Sequence, residues 1–292
     1  MMISHEEVLS RVRRLLPTSD GFEVFPFRLS SYNASVGPEF QLTGMDGSSM
    51  GVLILSTPAM FDVSFRRWIA LKAQEFGSFD VLKEEVLNPI SEFMNDRLDE
   101  IREDLPADLM YDVVHDHTFL PNRRPKILMC TCGHVAGAAY YYRSIDFIDK
   151  EFSGWNPAPA DPDLKFIGLS LHPRCGGHFA FRSVLFFPTV HLPDQFVEPK
   201  PAPVLTDVEE VRKSLELFNY SWKNSAFRDC GNPSERYSKT QMEYFGKAPA
   251  DRWEVIRHWV ETKKEVEGGC VEVSECQSVV KSASTHEISV RV

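Results

Sequence analysis

The chain has 292 residues, 43% of them hydrophobic and 25% charged, a composition that supports a globular protein with a sizeable core. Its 32 Lys and Arg against 42 Asp and Glu leave a formal charge of -10, which excludes a basic field for sequence-independent nucleic-acid binding and makes any arginine site a local one. No apolar run approaches the roughly 18 residues needed to cross a bilayer, and the first residues lack a signal peptide's apolar stretch, so a cytoplasmic protein with its cysteines reduced is expected.

Ser4-His5-Glu6-Glu7 fits a capping box, and Val8, Leu9, Val12, Leu15 and Leu16 make one apolar stripe, which predicts a first helix. Gly21 to Phe27 and Gly51 to Ser56 are β-rich, and both are placed in one sheet. From Phe79 to Arg102 the spacing is helical with a break at Asn88-Pro89, because a residue before proline is pushed out of the helical region. Leu109 to Val114 is a further strand candidate.

The stretch Pro121 to Arg143 joins basic residues, an apolar run holding Cys130 and Cys132, His134 among small residues, and Tyr140-Tyr141-Tyr142. It reads as a wall of a ligand cavity, because small residues admit close approach and aromatic faces supply contact area. Phe166 to Leu171, Arg174-Cys175-Gly176-Gly177 and Phe179 to Phe187 together read as a hairpin with a glycine turn.

Proline-rich connections near Trp155 to Asp163 and Leu192 to Leu205 are read as loops. Thr206-Asp207-Val208-Glu209 is a second capping box, followed by Val211, Leu215 and Phe218 at helical spacing. Shorter helices are expected around Lys239 to Phe245 and Arg252 to Val260, and beyond Glu261 a polar, mobile tail. The whole reads as one α+β domain with an antiparallel or mixed sheet and helices packed on it.

Few segments carry chemistry by themselves. His115-Asp116-His117 sets two imidazoles on one side of an extended segment, but the chain has no Cys-x-x-Cys or His-Glu-x-x-His spacing, so no metal site is assigned. Gly176-Gly177 lacks the dinucleotide fingerprint and the phosphate-loop lysine, and no serine is assigned as a nucleophile. Arg123, Arg124, Arg174, Arg182, Arg228 and Arg252 lie beside aromatic, proline or glycine residues. Several of them converging would make a small anion site, since guanidinium groups grip carboxylates bidentately.

Five segments together resemble the methylmalonic aciduria and homocystinuria type C family. They are Ser56-Thr57-Pro58-Ala59-Met60-Phe61-Asp62, Pro121-Asn122-Arg123-Arg124-Pro125-Lys126-Ile127-Leu128, His134 to Tyr142, His172-Pro173-Arg174 with Gly176-Gly177, and Glu235-Arg236-Tyr237-Ser238. The likeness runs from about residue 5 to residue 260. It implies a flavin-reductase-like, nitroreductase-related α+β fold in residues 1–262, with 263–292 left as the tail. Such a domain holds cobalamin with the dimethylbenzimidazole tail displaced from cobalt.

The implied reaction is removal of the upper axial ligand: cyanide by reduction with electrons from a reduced flavin, FAD or FMN, and alkyl groups by transfer to glutathione. The chemistry then belongs to cobalt, and the protein supplies binding and electrostatics. Carried over position by position, the resemblance gives cobalamin contacts to Asp116, Ile127, Leu128, Met129, Cys130, Tyr141, Tyr142, Arg143, Ser170 and Phe181. Ser170 stands where a cysteine is expected, and Cys130 and Arg143 where glutamines are.

Glutathione contacts carry over to Arg182, Arg228 and Arg252, whose charge also favours the nucleophilic thiolate. Phe227 replaces an expected tyrosine. His134 is read as packed and not as a cobalt ligand, because Cys132 occupies the place of the aspartate that would orient it. The type D cobalamin-trafficking protein is the expected partner, and the chain acts as a monomer or a ligand-induced dimer. Two alternatives stay open: a carrier that holds cobalamin without chemistry, and a flavin reductase or nitroreductase that does not use cobalamin.

Overall fold

The computed structural model describes residues 3–147, 155 and 166–261, so the expected tail and most of the 155–163 connection lie outside the described residues. Helix α1 (His5–Leu15) begins where the capping box puts it: the Ser4 side chain accepts the Glu7 N–H, and Val8, Leu9 and Val12 are buried. Strand β1 (Phe22–Arg28), helix α2 (Leu29–Ala34) and strand β2 (Ser49–Ser56) follow. A six-residue π-helical turn, Met60–Phe65, leads into α3 (Arg66–Phe76).

The predicted break at Asn88 is real, separating α4 (Phe79–Glu85) from α5 (Pro89–Asp104) with proline at the first helical position. Strand β3 covers only Asp112–His115, because Leu109 is taken by a turn onto Pro106. Next come α6 (Met129–Val135), β4 (Tyr140–Tyr142), β5 (Leu169–Leu171) and β6 (Ala180–His191). The chain then runs through α7 (Val208–Tyr220), α8 (Lys239–Gly246), α9 (Arg252–Ile256) and α10 (His258–Glu261). Asp207, not Thr206, caps α7 by accepting the Glu210 N–H.

The main sheet is antiparallel with the order β1-β2-β6-β3. One face (Val52, Ile54, Leu185, Phe187) packs in a cluster with residues of α1, α3 and α5, and the other (Leu53, Leu55, Val184, Phe186) with α2 and α6. Both faces are therefore covered, which is why β2 is buried along its whole length and its central residues, Val52 to Leu55, are continuously apolar and not alternating. A third cluster joins the small β4-β5 sheet to α7 through Tyr142, Leu169, Leu171, Val211 and Leu215.

The expected hairpin between residues 166–171 and 179–187 is not formed. β5 pairs with β4, β6 pairs with β2 and β3, and the glycine turn between them closes only an isolated bridge, His172 to Gly176. The two strands thus enter different sheets.

Candidate functional site

Arg182 is the centre of the site, and a backbone irregularity puts it there. Along β2 and β6, Ile54 faces Ser183 and Leu55 faces Phe181, so Arg182 is the extra residue of a β-bulge. Bulges re-aim side chains, and this one turns a guanidinium into the protein, where it is only 9% exposed. Its Nε donates to Ser56 Oγ at 2.7 Å, and it makes no ion pair among the described residues. Burial holds its pKa below the usual arginine value, while Tyr237, Asp116 and Tyr244 pull it back up.

Arg228 and Arg252 line one cavity of about 790 Å³, together with Lys223 and Lys247, and no aspartate or glutamate lines it. Arg228 donates to the Gly177 carbonyl and lies over the rings of Phe227 and Tyr237 at 4.9 and 5.0 Å. Arg252 donates to the Lys247 carbonyl and lies over Tyr244 and Phe245 at 5.6 and 5.8 Å. Tyr237 couples electrostatically to both Arg228 and Arg182, and Tyr244 to both Arg252 and Arg182, so the three arginines share one neighbourhood.

The Gly176-Gly177 pair serves this arrangement. A side chain at Gly177 would meet the Arg228 backbone at 2.8 Å, and Gly176 has φ +54 with the Arg228 carbonyl 2.6 Å from its missing Cβ. The glycines make room for the segment that carries Arg228, and no phosphate-cradling loop is involved.

Residues carried over as cobalamin contacts form a neighbouring wall. Leu128 caps α6, and its N–H is accepted by the Tyr32 hydroxyl, which burial pushes up to a pKa of about 12. Ile127 is buried, Met129 is partly so, and Cys130 faces Ser170, whose hydroxyl is buried without a well-formed hydrogen bond. Tyr141 pairs with Ser170 across the small sheet, and its ring occupies space that a side chain at Gly168 would take. Phe181 sits where a side chain at Gly133 of α6 would be, 2.3 Å from that missing Cβ.

Wall and cavity adjoin at Ile167, which lines the cavity one residue before Gly168. Arg182 follows Phe181 of the wall and is linked to the cavity through Tyr237, which lines it. Two carried-over residues stand apart from that junction: Tyr142 is 1% exposed with its hydroxyl bonded to the Leu205 backbone, and Arg143 is exposed and grips Asp146 bidentately at 2.8 Å. Asp116 adjoins the junction, since its N–H donates to the Arg182 carbonyl at 3.1 Å, while its exposed carboxylate pairs with His117.

Other candidates resolve as packing. His134 accepts the Tyr141 N–H at 3.1 Å and lies edge-on to Tyr140. His115 and His117 stack, and among the described residues no group of three or more His, Cys, Asp or Glu is placed to hold a metal. Gly47-Ser48-Ser49-Met50-Gly51 has the spacing of a nucleophile elbow, yet Ser49 is buried at the start of β2 and bonds the Pro188 carbonyl, with no helix following. Cys130, Cys132, Cys175 and Cys230 are free thiols.

Sequence reasoning gave no role to His178, Lys223, Tyr237 or Lys247. His178 is buried, accepts the Tyr237 N–H at its Nδ1 and donates from Nε2 to Asp229, which also receives Arg236. Ser238 bonds Asp62, tying the Ser56-to-Asp62 segment to α8. Tyr237 and Ser238 belong to the family-like segment Glu235-Arg236-Tyr237-Ser238, which was the available signal; for the lysines there was none.

The arrangement is that of a protein holding an anion beside an apolar wall. The chain matches the methylmalonic aciduria and homocystinuria type C family over residues 21–256 and belongs to it. It is 53% identical to the MMACHC-like protein of Caenorhabditis elegans over 89% of this chain and 96% of that one. It is 36% identical to the cyanocobalamin reductase / alkylcobalamin dealkylase of Homo sapiens, over 80% of this chain and 75% of the relative. A crystal structure of a C. elegans B12-trafficking protein, CblC, described as a human MMACHC homologue, superposes with a TM-score of 0.82 at 52% identity, covering 88% of this chain and 96% of that one.

Proposed function

We propose that this protein processes cobalamin, binding it with the lower base displaced and removing the upper axial ligand. The observation that carries the reading is the convergence of Arg182, Arg228 and Arg252, none in an ion pair among the described residues, beside the wall of Ile127 to Cys130, Tyr141, Ser170 and Phe181. The names of the human and C. elegans relatives support it. Arg182, Arg228 and Arg252 hold glutathione by its carboxylates and favour its thiolate. The thiolate sulfur attacks the cobalt-bound alkyl carbon, the cobalt–carbon bond breaks, and its electron pair stays on cobalt, giving cob(I)alamin and the thioether.

For cyanocobalamin, one electron from a reduced flavin, FAD or FMN, enters cobalt and cyanide leaves as the anion. The same reading takes the fold as flavin-reductase- or nitroreductase-like, supported by an antiparallel sheet covered on both faces. It places the chain in the cytoplasm, as a monomer or ligand-induced dimer that hands its product to the type D trafficking protein. No helix among the described residues is long and apolar enough to cross a membrane.

Arg182→Ala and Arg228→Ala are expected to slow glutathione-dependent dealkylation of methylcobalamin at least tenfold, since a lost charged hydrogen bond costs about 1.5–3 kcal/mol. The base-off absorption shift on binding methylcobalamin should persist in both. Loss of binding and turnover together would contradict the role given to the arginines. A shift without turnover in the wild type would favour the carrier, and no shift at all would remove cobalamin from the account.

A further inference from the structure

The segment 56–62 carries part of the family likeness, yet none of its residues lines the cavity. It is buried at Ser56, Thr57, Met60 and Phe61 and pinned to the chain entering β1. The Thr57 N–H donates to the Gly21 carbonyl at 2.9 Å, and Ser64 Oγ, just beyond the segment, donates to the Asp20 carbonyl at 2.8 Å. Gly21 takes φ +83, and a side chain there would meet the Met60 backbone at 1.8 Å, so glycine is what lets the two stretches press together.

From this fixed base three contacts reach outward, one to the support of each arginine. Ser56 Oγ accepts Arg182 Nε at 2.7 Å. The Phe61 ring packs on Tyr244 and Phe245, with centroids 5.1 and 5.9 Å away, and these are the two rings over which Arg252 lies. Asp62 Oδ1 accepts the Ser238 hydroxyl at 2.8 Å. Ser238 caps α8 by accepting the Gln241 N–H, and it follows Tyr237, whose ring lies 5.0 Å beneath Arg228. Asp62 belongs to the π-helical turn, a rare geometry that occurs frequently at functional sites.

The three arginines come from β6, from the turn after α7 and from α9, and this one segment touches the support of each. Guanidinium groups grip carboxylates in a fixed fork geometry, so an arginine that is present but loosely held binds an anion less well. We infer that the segment 56–62 holds the arginines in place, with Ser56 acting through Arg182 and Asp62 acting through Ser238 and Tyr237 on Arg228, both as positioning residues. The inference deepens the proposed function and rests on it for the identity of the anion, glutathione.

The test measures glutathione binding to the purified protein by calorimetry, with cobalamin absent so that nothing turns over. Saturable binding is expected for the wild type, and Ser56→Ala and Asp62→Ala should each weaken it by about tenfold. Asp62→Asn, whose amide oxygen can still accept the Ser238 hydroxyl, should stay within about twofold of the wild type. The base-off absorption shift with methylcobalamin should be unchanged in all three. Ser56→Ala should add less than about twofold on top of Arg182→Ala, and Asp62→Ala less than about twofold on top of Arg228→Ala, because each acts through the arginine already removed. Asp62 is only half-buried, so its pair of variants carries the test should Ser56→Ala fold poorly.

Full effects that persist in the arginine-free backgrounds, an Asp62→Asn as weak as Asp62→Ala, cobalamin binding that falls in step, or a wild type that does not bind glutathione would each overturn the inference. The two readings fail separately. Dealkylation indifferent to Ser56→Ala and Asp62→Ala removes the positioning and leaves the function, whereas glutathione binding with these effects but without dealkylation removes the reaction and leaves the positioning.

Discussion

His178 braces Tyr237, a residue of the cavity wall, and its hydrogen bonds fix its protonation state. Because Nδ1 accepts the Tyr237 N–H, the ring's single proton sits on Nε2, where it is given to Asp229. A second proton on Nδ1 would oppose the Tyr237 N–H and push at the residue lying beneath Arg228. Burial, aided by Arg228 and Arg236, keeps the folded pKa below 6.5, and the bond and charge of Asp229 only partly oppose this. The unfolded chain takes the proton near 6.5 and the folded chain lower, so the contribution to stability is complete above about 6.5 and is lost as pH falls through the folded value. Melting curves of the wild type should therefore drop more steeply below pH 6.5 than those of His178→Gln, which cannot titrate. Parallel pH profiles for the two proteins would show that the histidine's charge plays no part.

Among the elements, helix α6 and strand β6 meet through the smallest of residues. Gly133 lies against the Phe181 ring, so Gly133→Ala must displace either the helix or the ring that flanks Arg182. Overpacking of this kind costs about 1–3 kcal/mol, and the expected result is a protein less stable by that amount whose base-off cobalamin spectrum is weakened more than its fold. Stability loss with cobalamin affinity untouched would detach Phe181 from the wall. The helices were legible in the sequence, because Ser4 and Asn88-Pro89 are local signals and their consequences are local. The bulge at Arg182 and the separation of β5 from β6 were not, since a register shift against β2 depends on residues about 130 positions away and leaves no mark in the strand's own pattern. The site was legible as a set of arginines through family likeness, but not as a geometry: why Arg182 points inward is decided by that bulge and by Ser56.

For the whole molecule, the net charge and the cavity act on an anionic ligand in opposite directions. A chain of 292 residues has a radius of gyration of roughly 19 Å, and each of the ten excess negative charges repels one at that distance by about 0.2 kcal/mol in water. Unscreened, the sum is about 2 kcal/mol. At ~0.01 M salt, with a Debye length of ~30 Å, roughly half of it survives, and at ~0.1 M and ~10 Å only about a seventh. In the proposed glutathione site the attraction from Arg228 and Arg252, which line the cavity, with Arg182 behind them, acts across a few ångströms of half-buried space, where a single pair is worth up to about 4 kcal/mol and salt at these levels screens little. Glutathione, with one net negative charge at neutral pH, should accordingly bind about threefold more tightly at ~0.1 M than at ~0.01 M salt, and lose affinity only toward ~1 M, where the Debye length of ~3 Å reaches into the cavity. Half-saturation of dealkylation by glutathione, measured across that range with methylcobalamin saturating, reads the effect directly. A site held by exposed cations alone would weaken monotonically from the lowest salt, and that outcome would place the arginines at the surface of the reaction and not within it.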